Sequence, residues 1–440
     1  MIDNYRPISI LSYLSKILEK LMHKRIYKFL IKNNIIYNLQ FGFRQNYSTN
    51  LALVELLENI RHSLDNGEYT IGLYLDLSKA FDTVNHNILL NKLDHYGIRG
   101  HTLAWFESYL TNRKQYVLVD NNKSELGKIT TGVPQGSVLG PLLFIIYMND
   151  ICNVIKNNTA KLMLFADDTN LFISGKNPIQ IKNDMEAEAK NLQEWFKANK
   201  LTLSIEKTNF SLFHQPQKKI PKECDEIHIG DKSIKRVNSV KYLGIIIDDK
   251  LNWSAQVNQV CEALMKLTSS FKIIKHYVPE KCKRQLYYAY VHSKIKYGLE
   301  VYGHTSKTNI NKIQKLQNKI LKILFNKDWY TPTLALHKEL NLLQVQEIFY
   351  QSLLTLVHKQ RKKLLPEMFN DYFHTRNELN NINVRTSNKL NVIKTNTSQG
   401  DKMLKTKGAY LYNSLPDSII SINNTNNFKN KVKQHFISEY

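Results

Sequence analysis

Three aspartates of this 440-residue chain stand where carboxylates are costly. Asp76 lies near the end of the apolar run 69–77, in which Ile71, Leu73, Leu75 and Leu77 alternate with Tyr74 and Asp76. Asp167 and Asp168 separate two short apolar runs, 162–166 and 169–173. Carboxylates beside that much apolar surface are unfavourable unless a cation compensates them. Their oxygens are hard ligands suited to Mg²⁺, which keeps several waters and shares its remaining positions with substrate phosphates. If the strand that carries Asp76 pairs beside a hairpin carrying Asp167 and Asp168, all three carboxylates converge on one sheet edge. Such a set could hold two Mg²⁺ ions about 3.5–4 Å apart, the arrangement used for in-line phosphoryl transfer. Taken alone, the Asp167-Asp168 pair reads as an ordinary hairpin turn, because Asp favours turns.

The elements that must position these residues are legible in the pattern. Residues 10–32 read as a helix, with Leu11, Leu14, Leu18 and Leu21 at helical spacing and a basic row at Lys16, Lys20, Lys24 and Lys28. Residues 50–64 read as a second helix with Leu53, Leu56, Leu57 and Ile60 as its stripe, broken by Asn66-Gly67. A strand follows over 69–77, then helices over 85–110 with a break at Gly97 and Gly100. Short strands are expected at 115–119 and 127–131. Pro134-Gln-Gly-Ser137 is a turn before an apolar helix, with Ser137 as N-cap and Pro141 in the first turn. The runs 162–166 and 169–173 predict a hairpin turning at Asp167-Asp168. Residues 178–199 form an amphipathic helix through Ile181, Met185, Ala189, Leu192 and Phe196, and strands follow at 209–213 and 240–247. Beyond 255 the pattern is mainly helical, interrupted at Pro279, Pro332 and Pro366, with a polar, loop-like stretch over 374–408.

Composition narrows the function. Hydrophobic residues make up 42% of the chain, enough for a core, so a wholly disordered chain is excluded. The longest apolar run, 142–148, falls far short of the ~18 residues a membrane-spanning helix needs. The N-terminus has no apolar signal region, so an intracellular location is expected. Cys152, Cys224, Cys261 and Cys282 have no Cys-x-x-Cys spacing, which argues against a zinc knuckle or a disulfide framework. Lys and Arg number 61 against 38 Asp and Glu, a net charge of +23. Residues 1–250 contribute +6 and residues 251–440 contribute +17. The functional reading is a nucleic-acid partner held by the second part of the chain; the bland one is solubility in a Lys- and Asn-rich composition. In 310–325, Lys312, Lys315, Lys319 and Lys322 share one helical face, and Ile313, Leu316, Ile320 and Leu324 share another. Such a helix would dock by its apolar side and turn four ammonium groups toward a phosphate backbone.

Several segments carry a specific resemblance. Leu73-Tyr-Leu-Asp76-Leu-Ser-Lys-Ala-Phe81-Asp82-Thr-Val-Asn-His86 resembles the first palm motif of the reverse transcriptases of non-LTR (LINE-type) retrotransposons. Gly132-Val-Pro-Gln135-Gly-Ser-Val-Leu-Gly-Pro141-Leu-Leu-Phe144 resembles their second palm motif, and Phe165-Ala-Asp167-Asp168 their catalytic hairpin. Tyr5-Arg-Pro-Ile-Ser9 and Gln40-Phe-Gly-Phe-Arg44 resemble the finger motifs. Trp195, Asn199-Lys-Leu201 and Lys207-Thr208 resemble the next palm segment, and Val240-Lys-Tyr-Leu-Gly244 the primer-grip hairpin. All seven occur in family order. The region past 255 is similar to the thumb and tail of jockey-like elements through looser patterns, Tyr297-Gly298 and His374-Thr-Arg376.

The resemblance implies an α+β right-hand polymerase: fingers and an antiparallel-sheet palm over 1–250, a helical basic thumb over 251–345 and a mainly helical, partly irregular tail over 346–440. It implies attack of a primer 3′-hydroxyl on the α-phosphate of a dNTP, on an RNA template with a DNA primer, and two Mg²⁺ ions with Mn²⁺ as the alternative. Asp76 and Asp167 are the implied bridging ligands, Asp168 supports them, and the Leu77 carbonyl is a further candidate. Phe81, five residues after Asp76, matches the steric gate that would exclude a ribose 2′-hydroxyl; ordinary core packing is its plain alternative. Gln135 and Gly136 would line the nucleotide pocket, and Arg44 matches a finger contact to template or nucleotide. Lys207 matches a lysine that protonates the departing pyrophosphate, and Tyr242, Leu243 and Gly244 would hold the primer terminus.

The family's upstream endonuclease motifs are not found in this sequence, so target cleavage would need an endonuclease from another protein or an existing nick. The expected setting is a ribonucleoprotein in nucleus or cytoplasm. A catalytically idle nucleic-acid-binding relic or fragment is the competing reading. A viral RNA polymerase is disfavoured by Phe81 and by the Phe-Ala-Asp-Asp hairpin.

Overall fold

The computed structural model describes residues 8–380 and 388–440. Tyr5, Arg6 and Pro7 of the first finger motif, and residues 381–387 of the polar stretch, lie outside the described residues. The backbone divides into two units. The first comprises 1–48, 70–212 and 219–237, and the second 49–69, 213–218 and 238–440.

In the first unit, β1 (Tyr69–Leu75), β2 (Ala160–Phe165), β3 (Asp168–Gly175) and β4 (Asn209–Phe213) form one sheet in the order β2-β3-β1-β4. All seven residues of β1 are buried, as expected of a central strand covered on both faces. β2 and β3 pair antiparallel from Ala160↔Ile173 to Phe165↔Asp168. The turn is therefore Ala166-Asp167, one residue earlier than expected, and Asp168 opens β3. Ala166 carries the left-handed backbone, with φ +57°.

The helix α1 (Tyr13–Lys32) forms as expected, but its face is inverted. Leu14, Leu18 and Leu21 are exposed, whereas Glu19, Ile26 and Leu30 are buried. Glu19 decides this orientation. Its carboxylate accepts from the N–H groups of Val138 and Leu139 at 2.6 and 3.3 Å and from the Tyr109 hydroxyl at 3.2 Å. Two further helices, α3 (His86–His95) and α4 (His101–Leu110), lie either side of the Gly97/Gly100 break.

The apolar helix α5 (Gly140–Met148) is buried along nearly its whole length. Its N-cap residue is Leu139 rather than Ser137, although the Ser137 hydroxyl still accepts from Gly140 N–H at 2.9 Å. The amphipathic helix α6 (Pro178–Ala198) buries Ile181, Met185, Ala189, Leu192 and Phe196, and Asn177 caps it. The expected strands at 115–119 and 127–131 shrink to exposed two-residue ladders, Lys114↔Lys128 with Gln115↔Gly127 and Leu118↔Lys123 with Val119↔Asn122.

In the second unit, α2 (Thr49–Asp65) buries its leucine stripe and also Glu55, Glu58, Arg61 and Asp65. The C-terminal segment satisfies those charged groups. Tyr372 hydroxyl donates to Glu55 at 2.5 Å, and the N–H groups of Leu404 and Lys405 donate to Glu58. Asn396 and Thr397 N–H donate to Asp65 at 2.9 and 2.7 Å. Described residues beyond 346 are thus built into this unit. β5 (Ser239–Tyr242) and β6 (Ile245–Asp248) form a hairpin. The helices α7 (Ser254–Ile274) and α8 (Lys307–Leu324) pack together, as do α9 (Val345–Arg361) and α10 (Thr425–Ser438). Pro279, Pro332 and Pro366 each stand at a helix start, where the missing N–H does no harm. Among the described residues, no helix is long and apolar enough to cross a membrane.

Candidate active site

The ends of β1 and β3 bring the aspartates to one edge. Thr70 and Ser174 hydroxyls lie 2.8 Å apart, and the Cα of Gly72 faces the Phe172 ring. These contacts run antiparallel, and the same register continued to the strand ends sets Asp76 level with Asp168. Asp76 and Asp167 are half-buried and Asp168 is exposed. Downstream of β1, Ser204 N–H donates to the Asp76 carbonyl at 2.8 Å and Ser78 N–H to the Thr202 carbonyl at 2.9 Å. Leu77 bridges Leu203, and its own carbonyl takes no part in either bond. Three carboxylates and a carbonyl are hard oxygen donors, a set whose chemistry fits Mg²⁺. Among the described residues, however, no three His, Cys, Asp or Glu side chains are gathered closely enough to hold a metal ion.

A second layer surrounds this edge. The Phe81 ring stacks on Phe144 with centroids 4.3 Å apart and planes at 20°, and meets Phe43 edge-on at 6.3 Å. Phe81 is half-buried, so one part of the ring packs and another is open. Gln135 Nε2 donates to the Asp82 carboxylate at 3.0 Å. The turn before it is fastened to the same segment: Gly132 N–H to the Val84 carbonyl at 2.7 Å and Val133 N–H to the Phe81 carbonyl at 2.9 Å. A Cβ at Gly132 would stand 2.7 Å from the Asp82 carbonyl oxygen, so only glycine allows this approach. Gly136 follows Gln135, whose carbonyl accepts from Ser9 N–H at 2.8 Å.

Residues 2–247 match the family model described as reverse transcriptase (RNA-dependent DNA polymerase). The chain belongs to the reverse transcriptase family. This reverse transcriptase is 28% identical over 348 residues to the RNA-directed DNA polymerase from mobile element jockey of Drosophila melanogaster, covering 77% of this chain and 37% of that protein. It is 30% identical over 359 residues to the probable RNA-directed DNA polymerase from transposon BS of the same organism, covering 78% of this chain and 39% of that protein. The chain thus spans less than two fifths of the length of these curated relatives. Among solved structures, a telomerase from Candida albicans with a TWJ fragment of telomeric RNA aligns with a TM-score of 0.38 and 13% identity, over 74% of this chain and 55% of that one. The fold is the right-hand polymerase fold in its reverse transcriptase form.

Lys207 is exposed, three residues past the Ser204 that bonds Asp76. Arg44 Nη1 donates to the carbonyls of Tyr37 and Gln40 at 2.9 and 3.2 Å, and its guanidinium lies 4.0 Å from the Tyr47 ring centre. It fastens its own loop. In the second unit, Tyr242 is 3% exposed, so its ring packs in the core. Leu243 and Gly244 form the hairpin tip, with φ +45° and +80°, and the Tyr297 hydroxyl donates to the Leu243 carbonyl at 2.6 Å. Lys312 and Lys315 are exposed, and Lys319 and Lys322 half-buried. Ile313, Ile320 and Leu324 are buried beneath them, and Leu316 only partly. Lys322 does not share the free face expected of it, since its ammonium donates to the Trp329 carbonyl and lies over that ring.

Three positioning residues had no assigned role in the sequence. Gln40 is 1% exposed and its side-chain oxygen accepts from the N–H groups of Gly42 and Ala166. Asp82 orients Gln135. Glu19 completes the start of α5 just after the Gln135 turn. Burial, and then the Glu19 carboxylate, pushes the Tyr109 phenol up to about 12, which keeps it a hydrogen-bond donor to Glu19. Glu19 among the apolar residues of a helix, and Gln40 two residues before Gly42, were the available signals.

Proposed function

We propose that the chain is an RNA-directed DNA polymerase of a non-LTR retrotransposon. The observation that carries this reading is the adjacency of the Asp76 strand end and the Asp167-Asp168 hairpin within a reverse transcriptase match. The primer 3′-hydroxyl loses its proton to water as its oxygen bonds to the α-phosphorus of a dNTP, the bond from that phosphorus to the oxygen shared with the β-phosphate breaks, and pyrophosphate leaves. Asp76 and Asp167 would hold the metal, with Asp168 and the Leu77 carbonyl in support. Two Mg²⁺ ions, when bound, supply a lowered pKa at the attacking hydroxyl and charge neutralisation at the triphosphate.

The chain's own residues do the rest. Lys207, exposed three residues past the Ser204 that bonds Asp76, delivers a proton to the departing pyrophosphate. Phe81, held by its stack on Phe144, forms a rigid wall against a ribose 2′-hydroxyl. Gln135, oriented by Asp82, and the Gly136 backbone line the nucleotide pocket. In the second unit, the backbone of the Tyr242-Leu243-Gly244 tip contacts the primer end, while Lys312, Lys315 and Lys319 contact phosphates. The β1–β4 sheet serves as palm, α1 as part of the fingers and α7 with α8 as thumb. The partners are an RNA template, a DNA primer and an endonuclease supplied by another protein, in a ribonucleoprotein of nucleus or cytoplasm.

The test is extension of a DNA primer on an RNA template with dNTPs and Mg²⁺. Extension that disappears on chelation and in Asp167→Ala is expected. Well-folded protein without extension, or extension unaltered by Asp167→Ala, would overturn the proposal.

A further inference from the structure

The loop that follows α8 in the second unit sets two neighbouring aromatic rings in solvent. Trp329 is 66% exposed and Tyr330 is 93% exposed. The other tryptophans are covered: Trp195 and Trp253 are buried and Trp105 is half-buried. Burial of so large a ring stabilises a fold more than burial of most side chains, so two such rings left in water serve no purpose in folding.

The loop that carries them is nonetheless fixed. Asn326, left-handed at φ +51°, turns the chain out of α8, and Lys327 N–H donates to the Lys322 carbonyl at 2.9 Å. Lys327 Nζ pairs with Glu339 at 2.6 Å, and Thr331 N–H donates to the Asp328 carbonyl at 3.1 Å. The Lys322 ammonium donates to the Trp329 carbonyl and lies over the Trp329 ring, 5.7 Å from its centre. A loop tied at so many points loses little freedom when something binds to it.

Trp329 lines a recess of about 300 Å³ where α7 and α8 end. Lys275, Lys322, Lys327 and Ile323 line it too, and Asp328 is the one carboxylate among the lining residues. Lys327 is taken by Glu339. The ammonium groups of Lys275 and Lys322 remain as donors and the Asp328 carboxylate as an acceptor. The negative dipole ends of two helices meet here, so the recess itself does not favour a phosphate. It favours a flat, neutral group with donors and acceptors of its own, laid on an aromatic ring. A nucleobase is such a group, and stacking on Trp or Tyr accepts any base because every base has a π-face. The phosphates of the same strand have a track, since Lys312, Lys315 and Lys319 lead along α8 towards this end.

We propose that the Trp329-Tyr330 loop and its recess bind unpaired bases of a single-stranded nucleic acid whose phosphates follow Lys312, Lys315 and Lys319. The track of the phosphates rests on the polymerase reading; base stacking on Trp329 does not.

The full chain is titrated with single-stranded oligo(dT) at fixed salt, while tryptophan fluorescence and the anisotropy of a dye on the oligonucleotide are followed. Saturable quenching is expected, because Trp329 is the exposed tryptophan. Trp329→Phe keeps a ring but removes the reporter, so the quenching should vanish while the affinity is retained. Trp329→Ala and Tyr330→Ala should each weaken the single strand about tenfold, within the range for one lost stacked base. Both rings lie in solvent, so these variants should unfold at the native Tm, which separates lost binding from lost structure. A blunt RNA–DNA hybrid of equal length, whose bases already stack on each other, should bind the native chain and the variants alike. Quenching that survives in Trp329→Phe, native affinity for oligo(dT) in Trp329→Ala, or equal losses on oligo(dT) and the hybrid would overturn the proposal. Neither readout needs polymerisation, so a failure of primer extension leaves both interpretable.

Discussion

The side-chain oxygen of Gln40 accepts the Ala166 N–H at 3.0 Å, across 126 residues of chain. Ala166 is the left-handed residue of the turn that presents Asp167, and the same oxygen also takes Gly42 N–H at 2.8 Å. Gln40→Leu leaves two buried donors unmatched, each costing about 1–3 kcal/mol. Thermal unfolding should fall accordingly. Because a small misplacement of a reacting group can cost about 100-fold, primer extension should fall by that order in kcat. Unchanged kcat in a folded variant would remove Gln40 from the positioning role.

Asp82 acts through Gln135. Asp82→Ala frees the Gln135 amide, whose hydrogen bond to a carboxylate is worth about 1.5–3 kcal/mol. The expected result is a KM for dNTP raised about tenfold or more, with less effect on kcat. Steady-state kinetics with varied dNTP checks it. A pure loss of kcat would point to a different role.

Phe81 and Phe144 should act as one wall. Phe81→Ala is expected to admit ribonucleotides, lowering the dNTP/rNTP ratio of kcat/KM at least tenfold, roughly 1.4 kcal/mol of discrimination. Phe144→Ala should lower the ratio in the same direction by loosening the stacked ring, at a stability cost of about 3–5 kcal/mol. Unaltered discrimination in Phe81→Ala would return that ring to core packing.

The lysines of α8 should not contribute equally. Lys312→Gln and Lys315→Gln should each reduce the salt slope of template–primer binding by about 1. Lys322→Gln should change it less, because that ammonium is held by the Trp329 carbonyl. Equal slopes for all three variants would contradict the assignment.

His292 gives a pH signature. Burial, and then Lys296, Lys429 and Lys433, lower its imidazole to about 4 from its usual 6.5. The folded chain therefore binds fewer protons than the unfolded chain between these values, and the His292 contribution to stability is present above pH 6.5 and lost as pH falls toward 4. The difference in Tm between the native chain and His292→Gln should vary across that window and be flat above it.

The candidate site was legible because it depends on local residue order. Strand alternation around Asp76, the two apolar runs flanking Asp167-Asp168, and the glycines around Gln135 are all readable within about a dozen residues. The stripes of α2 and α6 were legible for the same reason, since burial there follows the helical period. The α1 stripe was not, because a buried Glu19 outweighs the exposed Leu14, Leu18 and Leu21 once its carboxylate meets the start of α5.

Residue order alone therefore specifies which side chains are present for the proposed polymerase chemistry and which strands carry them. The tertiary fold settled how they are held: Gln40 on Ala166, Asp82 on Gln135, Glu19 on Val138, and the far C-terminal segment on Glu55, Glu58 and Asp65. Each of these bonds joins partners at least 50 residues apart, and all but the half-buried Asp82–Gln135 pair involve a buried polar group. Burial makes an unpaired polar group expensive, so a partner must exist. Periodicity, which reports only neighbours along the chain, carries no information about which distant residue supplies it.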